Sequence, residues 1–123
     1  MQLMQSGEMY LETIYVLSKK SSTVRSIDVC EQLGYSKPSV SRAVGLLKQG
    51  GFLTVETDGT LHLTDAGHEI AQKIYNRHNV LTELLVKLGV DRQTAAEDAC
   101  KMEHDISDES VRALRRFVDS FND

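Results

Sequence analysis

The sequence predicts a mainly α-helical fold with one small β-hairpin. Three observations predict it. Apolar residues recur at helical spacing through most of the 123 residues. The period changes to alternation only over 52–64, around Asp58-Gly59, a strong hairpin turn signal. Up to that hairpin the order is helix, short helix, tight turn, helix, two strands, which is the order of a winged helix-turn-helix.

The first helix is expected over 7–18, with Tyr10, Ile14 and Leu17 at helical spacing, followed by the polar connector Lys19-Lys20-Ser21-Ser22. A short second helix covers 26–33, with Ser26 as its expected N-cap and Ile27, Cys30 and Leu33 on one face. Gly34-Tyr35-Ser36 breaks the chain. The third helix runs over 37–49. Ser36 caps it, and Pro38 falls in the first turn, where its missing N–H has no intrahelical partner to lose. Val40, Ala43, Val44 and Leu47 face inward, which leaves Ser39, Ser41, Arg42 and Lys48 for solvent or a partner. Gly50-Gly51 stops the helix. Leu53 and Val55, then Leu61 and Leu63, alternate with polar residues, and His62 falls on the hairpin surface. A long helix starts at Thr64 or Asp65 and runs to about Leu88, with His68 on its exposed first turn and Gly89 ending it. Two more helices are expected, over 92–104 and 107–121. The last carries the stripe Val111, Leu114, Phe117, Val118 and Phe121.

Length and composition set outer bounds. The chain is too short for a large multidomain enzyme, and 41% hydrophobic with 26% charged residues suits a soluble, folded chain. No apolar run approaches the ~18 residues of a membrane span, and the N-terminus does not read as a signal peptide. Cys30 and Cys100 do not make a disulfide framework, so a cytoplasmic location is the default. Cys30, on the apolar face of the second helix, reads as core.

A net charge of −4 argues, taken alone, against a nucleic-acid partner. The distribution argues the other way. Residues 16–55 hold Lys19, Lys20, Arg25, Lys37, Arg42 and Lys48 against Asp28 and Glu31, a local balance of +4. Basic side chains there suit phosphates, and Arg42 suits either a guanine edge or a phosphate. The candidate contacts to double-stranded DNA are Arg25, Lys37, Pro38, Ser39, Ser41, Arg42 and Lys48. The bland alternative is a helix-hairpin module for protein contacts.

Cys100, Glu103 and His104 stand at i, i+3 and i+4, which puts a thiolate, a carboxylate and an imidazole on one helix face. These are metal ligands by type. Met9 and Glu12 stand at i, i+3 on the first helix, and His78 lies on the long helix. Each also has an ordinary reading: Met9 as core, Glu12 as a solvated face, His78 in a local hydrogen bond, Cys100 as small apolar filler or a redox sensor.

At these residues the sequence resembles the DtxR/MntR family of metal-dependent repressors. The resemblance spans about 7–121. It is carried by Glu8-Met9-Tyr10-Leu11-Glu12-Thr13-Ile14-Tyr15, Lys37-Pro38-Ser39-Val40-Ser41, Leu63-Thr64-Asp65-Ala66-Gly67, Arg77-His78 and Cys100-Lys101-Met102-Glu103-His104 with Ser107-Asp108. It implies a homodimer that binds a divalent metal as corepressor and then palindromic operators of metal-uptake genes, with a DNA-binding domain over 1–72 and a helical metal-binding and dimerisation domain over 73–123. The expected architecture is the two-part form, without the SH3-like domain of many iron-responsive members.

The implied ligand set is a hybrid. Met9, Cys100, Glu103 and His104 match the iron-responsive branch. The manganese-responsive branch has Asp and Glu at the positions of Met9 and Cys100, and uses those of Glu12 and His78, both matched here. Thr82 and Ala96 stand where the iron branch's second site expects a carboxylate or imidazole, with Glu83 nearby; a paired-metal site sharing Glu12, His78 and Glu103 is the other arrangement. Thioether and thiolate donors favour Fe²⁺ over Mn²⁺, the second choice, while Zn²⁺, Co²⁺ and Ni²⁺ are expected to bind in vitro. Val111, Leu114, Val118 and Phe121 are the expected dimer interface, against packing within one subunit. Two other classes remain: a winged-helix regulator sensing thiol oxidation or a small molecule through Cys100, and a metalloenzyme, for which no general base or substrate pocket is implied. The expected answer is a regulator and not an enzyme.

Overall fold

The computed structural model describes Gln5–Asn122. Met1–Met4 and Asp123, the outer ends of the two expected domains, lie outside the described residues. The elements are α1 (Gln5–Lys20), α2 (Ser26–Leu33), α3 (Lys37–Gln49), β1 (Leu53–Val55), β2 (Leu61–Leu63), α4 (Asp65–Lys87), α5 (Arg92–Met102) and α6 (Asp108–Asp119), with a final 3-10 turn, Ser120–Asn122. The chain divides into two compact units at the Gln72–Lys73 bond, inside α4. Among the described residues no helix is long and apolar enough to cross a membrane.

The first unit packs α1, α2 and α3 over the hairpin. Tyr10, Leu11 and Ile14 of α1 meet Val29 and Cys30 of α2 and Val40, Val44 and Leu47 of α3, with Phe52, Leu53 and Leu61 closing the core from the hairpin side. Cys30 is core, as expected. The face of α2 differs from expectation. Val29 is fully buried beside Cys30, whereas Ile27 is 43% exposed. The α2 cap also differs. Ser26 is already helical, Arg25 holds the N-cap position, and the Asp28 carboxylate accepts the Arg25 backbone N–H at 2.8 Å. The cap works from inside the helix, so a plausible N-cap serine is not needed. Gly34 ends α2 at φ 70, a conformation that costs glycine little, and its N–H donates to the Cys30 carbonyl at 2.8 Å. Ser36 caps α3 as expected, accepting from the Ser39 N–H.

β1 and β2 pair antiparallel in the register Leu53↔Leu63, Thr54↔His62, Val55↔Leu61. Asp58-Gly59 makes the turn, with Gly59 at φ 91 and the Asp58 carboxylate accepting the Thr60 N–H at 3.0 Å. The hairpin is tied down at its turn end, where the Leu61 N–H donates to the Val24 carbonyl at 2.7 Å. Thr64 caps α4, accepting from the Gly67 N–H. A Cβ on Gly67 would fall 2.0 Å from the Phe52 carbonyl oxygen, so only glycine lets α4 start this close to the hairpin.

In the second unit the buried apolar residues are Ile74, Val80, Leu81, Ala95, Ala99 and Val118. Arg77, Thr82 and Glu103 are buried with them. α5 stops at Met102, two residues short of the expected end, and Glu103 and His104 lie in the turn that follows. On α6, Val111 and Leu114 are half-buried and Val118 is 6% exposed within one copy, so Val118 serves the unit's own core rather than an open face. Phe117 and Phe121 remain exposed, their rings edge to face at 5.0 Å.

Candidate metal centre and DNA-binding helix

Three of the sequence-predicted donors converge in the second unit. His78 of α4, Cys100 of α5 and Glu103 just after α5 each bring a donor atom to within 4.8 Å of the other two. Helical spacing explains the Cys100–Glu103 half, because the Glu103 N–H still donates to the Ala99 carbonyl and keeps the helical turn at that residue. His78 arrives from α4. Its Nδ1 lies 3.0 Å from Glu103 Oε2 and 3.7 Å from Cys100 Sγ. The Glu103 side chain is 1% exposed, while Cys100 is open to solvent. The Cys100 sulfur and the Glu103 carboxylate, in that order, raise His78 to about 10 against the opposing effect of burial. An imidazole, a buried carboxylate and an accessible sulfur thus meet at one point, and once deprotonated they are a donor set that matches a divalent transition metal. His104 Nε2 lies 3.5 Å from the other Glu103 oxygen, Oε1.

Met9 and Glu12 lie on α1 in the first unit. The Tyr35 hydroxyl, from the turn between α2 and α3, donates to the Met9 sulfur at 3.8 Å. Thr82 is buried with no hydrogen-bond partner for its hydroxyl among the described residues, and Glu83 is paired with Arg92 at 2.9 Å. The Arg92 hydrogen bond holds the Glu83 carboxyl below the usual range.

On α3, Lys37, Pro38, Ser39, Ser41, Arg42 and Lys48 are all exposed. No internal hydrogen bond or ion pair engages the side chains of Lys37, Arg42 or Lys48 among the described residues. Ser39 is partly engaged, since the Ser36 hydroxyl donates to its oxygen at 2.9 Å. Arg25 stands apart from the others. Its Nε donates to the Asp58 carbonyl at 3.1 Å, and its guanidinium pairs with the Asp58 carboxylate at 3.6 Å. It therefore ties α2 to the hairpin tip.

Arg77, the residue before His78, also enters this region. Its buried guanidinium donates to the carbonyls of Glu103 and Ile106 and pairs with Asp108. The only sequence signal was its place beside His78.

The family of iron dependent repressors matches in two parts. The N-terminal DNA binding domain matches residues 2–61, and the metal binding and dimerisation domain matches residues 64–123. An uncharacterized HTH-type transcriptional regulator of Methanocaldococcus jannaschii is 35% identical over 121 residues, 97% of each chain. The transcriptional regulator MntR of Escherichia coli is 32% identical over 89% of this chain and 70% of its own length. The chain belongs to the DtxR/MntR family of metal-dependent repressors. The diphtheria toxin repressor of Corynebacterium diphtheriae is 34% identical over 91% of this chain, and the match spans 50% of that repressor. The structure of the manganese regulator SloR superposes with a TM-score of 0.82 at 27% identity, covering 92% of this chain and 53% of that one. ScaR with bound Zn²⁺ gives 0.76 at 25%, covering 92% and 53%. The chain thus spans about half the length of several relatives it matches. The expected fold class holds: a winged helix-turn-helix, then the helical unit of this family.

Proposed function

We propose that the protein is an Fe²⁺-activated repressor of metal-uptake genes, with Mn²⁺ the second choice of metal. The observation that carries this reading is the convergence of His78, Cys100 and Glu103 around a nearly inaccessible carboxylate. A thiolate among the donors argues for iron over manganese, which prefers oxygen. His104 completes the donors of this unit, and Met9 and Glu12 enter by their i, i+3 spacing on α1 and by sequence resemblance. The bound cation supplies a positive charge that these donors share. Because the donors bind metal only when deprotonated, a proton on His78 competes with it.

The DNA-binding element of this reading is α3. Its 13 residues make about 20 Å of helix, which suits a major groove. Arg42 reads a base edge or a phosphate, and Lys37 and Lys48 meet phosphates. A homodimer presents two such helices to a palindromic operator in the cytoplasm, and coupling is reciprocal: metal tightens DNA binding and DNA tightens metal binding. Val111, Leu114 and Phe121, with Phe117, form the proposed dimer contact.

The test is selection of duplex DNA from a genomic library without oxygen, in Fe²⁺, Mn²⁺, Zn²⁺ or chelator. Fe²⁺ should tighten binding to one recovered sequence most strongly, and Cys100→Glu with Met9→Asp should shift preference toward Mn²⁺. DNA binding unaffected by chelator but altered by peroxide would replace metal sensing with thiol sensing at Cys100.

A further inference from the structure

We infer that Arg77 is the positioning residue of the metal centre, an inference that rests on the metal reading above. Arg77 and His78 are neighbours on α4, and both reach the segment that follows α5. His78 meets the Glu103 carboxylate, and Arg77 meets the Glu103 carbonyl at 3.1 Å. Glu103 is therefore held at its side chain and at its backbone from consecutive residues of one helix.

The reach of Arg77 is wider than one residue. The same Nη1 also donates to the Ile106 carbonyl, and Nη2 pairs with Asp108, the first residue of α6. The turn joining α5 to α6 contributes few backbone hydrogen bonds of its own, and a planar guanidinium can serve two carbonyls and a carboxylate together. The side chain is only 9% exposed, and its Nε has no hydrogen-bond partner among the described residues. Lys73 reinforces the far end, pairing with Asp108 at 3.1 Å. Groups that orient a metal ligand through its other contacts change metal affinity by roughly 10–100-fold when altered.

The experiment uses Co²⁺ with the full chain, reading the thiolate-to-cobalt absorption, the d–d bands and the affinity by competition with a chelator, together with the melting temperature of the metal-free protein. Wild type should show the thiolate band. Arg77→Lys keeps the charge but not the fork. It should retain the thiolate band, change the d–d bands and bind Co²⁺ about tenfold or more weakly. Should Arg77→Lys not fold, Asp108→Asn removes only the exposed end of the clamp and should weaken Co²⁺ by a smaller factor in the same direction. Unchanged affinity and d–d bands in the folded variant, even with a lowered melting temperature, overturn the inference and leave the metal reading standing. A wild-type protein without the thiolate band overturns both.

Discussion

Glu103 and Gly67 show how single residues set limits here. The Glu103 carboxylate is 1% exposed and lies between two imidazoles. Glu103→Gln keeps the shape and removes the charge. Bound metal adds about 2.7 kcal/mol to stability at a hundred times its dissociation constant. Wild type should gain roughly that in a thermal melt, and Glu103→Gln should lose most of the gain. A full metal-induced shift in the variant would remove Glu103 from the ligand set. Gly67 answers a steric demand, not a chemical one. Gly67→Ala drives a methyl toward the Phe52 carbonyl, where the gap is 2.0 Å. It should cost about 1–3 kcal/mol in urea unfolding, as overpacking does. Leu-Thr-Asp-Ala-Gly marked the start of α4 in the sequence, but the carbonyl that makes its glycine necessary is fifteen residues earlier, beyond any local pattern.

At the scale of elements, legibility followed the range of the interaction. α3 was readable at both ends because Ser36, Pro38 and Gly50 act within a turn of their own positions. The hairpin was readable because Asp58-Gly59 sets the register by itself. The end of α5 was not, because no glycine or proline follows Met102 and the next turn is held by Arg77 from 26 to 31 residues away. The face of α2 was misread at Ile27, since a helix of eight residues has too few turns to fix its rotation by pattern. Three of the metal donors came together because two share a helical repeat. α6 is the element whose role is best tested by assembly. Val118 is spent inside one copy, which leaves Phe117 at 49% and Phe121 at 56% exposed. Two neighbouring exposed aromatic rings, Phe117 on α6 and Phe121 on the 3-10 turn after it, are a costly surface unless a second copy covers them. Phe117→Glu with Phe121→Glu should sediment as a monomer while keeping its helical circular dichroism. A dimer that persists would move the interface elsewhere.

Across the whole molecule, charge is divided between the two units in a way the net value of −4 conceals. Residues 16–55 carry +4, whereas 76–123 hold seven basic and ten acidic residues, a balance of −3. The acidic share lies in the unit that holds His78, Cys100 and Glu103, and the basic share lies in the unit that carries α3. Lys37, Arg42 and Lys48 have no internal ion pair among the described residues, so their charge is available to a polyanion. Arg25 differs, because Asp58 already offsets it. The proposed DNA binding should then weaken steeply with salt. Removing one side chain that neutralises a phosphate should lower the slope of log affinity against log salt by about 1. Lys48→Ala should reduce that slope in metal-loaded protein and weaken all duplexes alike. Arg42→Ala, if Arg42 reads a guanine, should cost about 1–3 kcal/mol on the selected sequence and much less on random DNA. Arg25→Ala should act chiefly on stability, since it frees the hairpin tip, and change the slope least. Fluorescence anisotropy between low and physiological salt separates the three. Equal losses from Arg25→Ala and Lys48→Ala would put Arg25 at the DNA as well, and a slope near zero would mean that the basic share of the first unit is not where DNA binds.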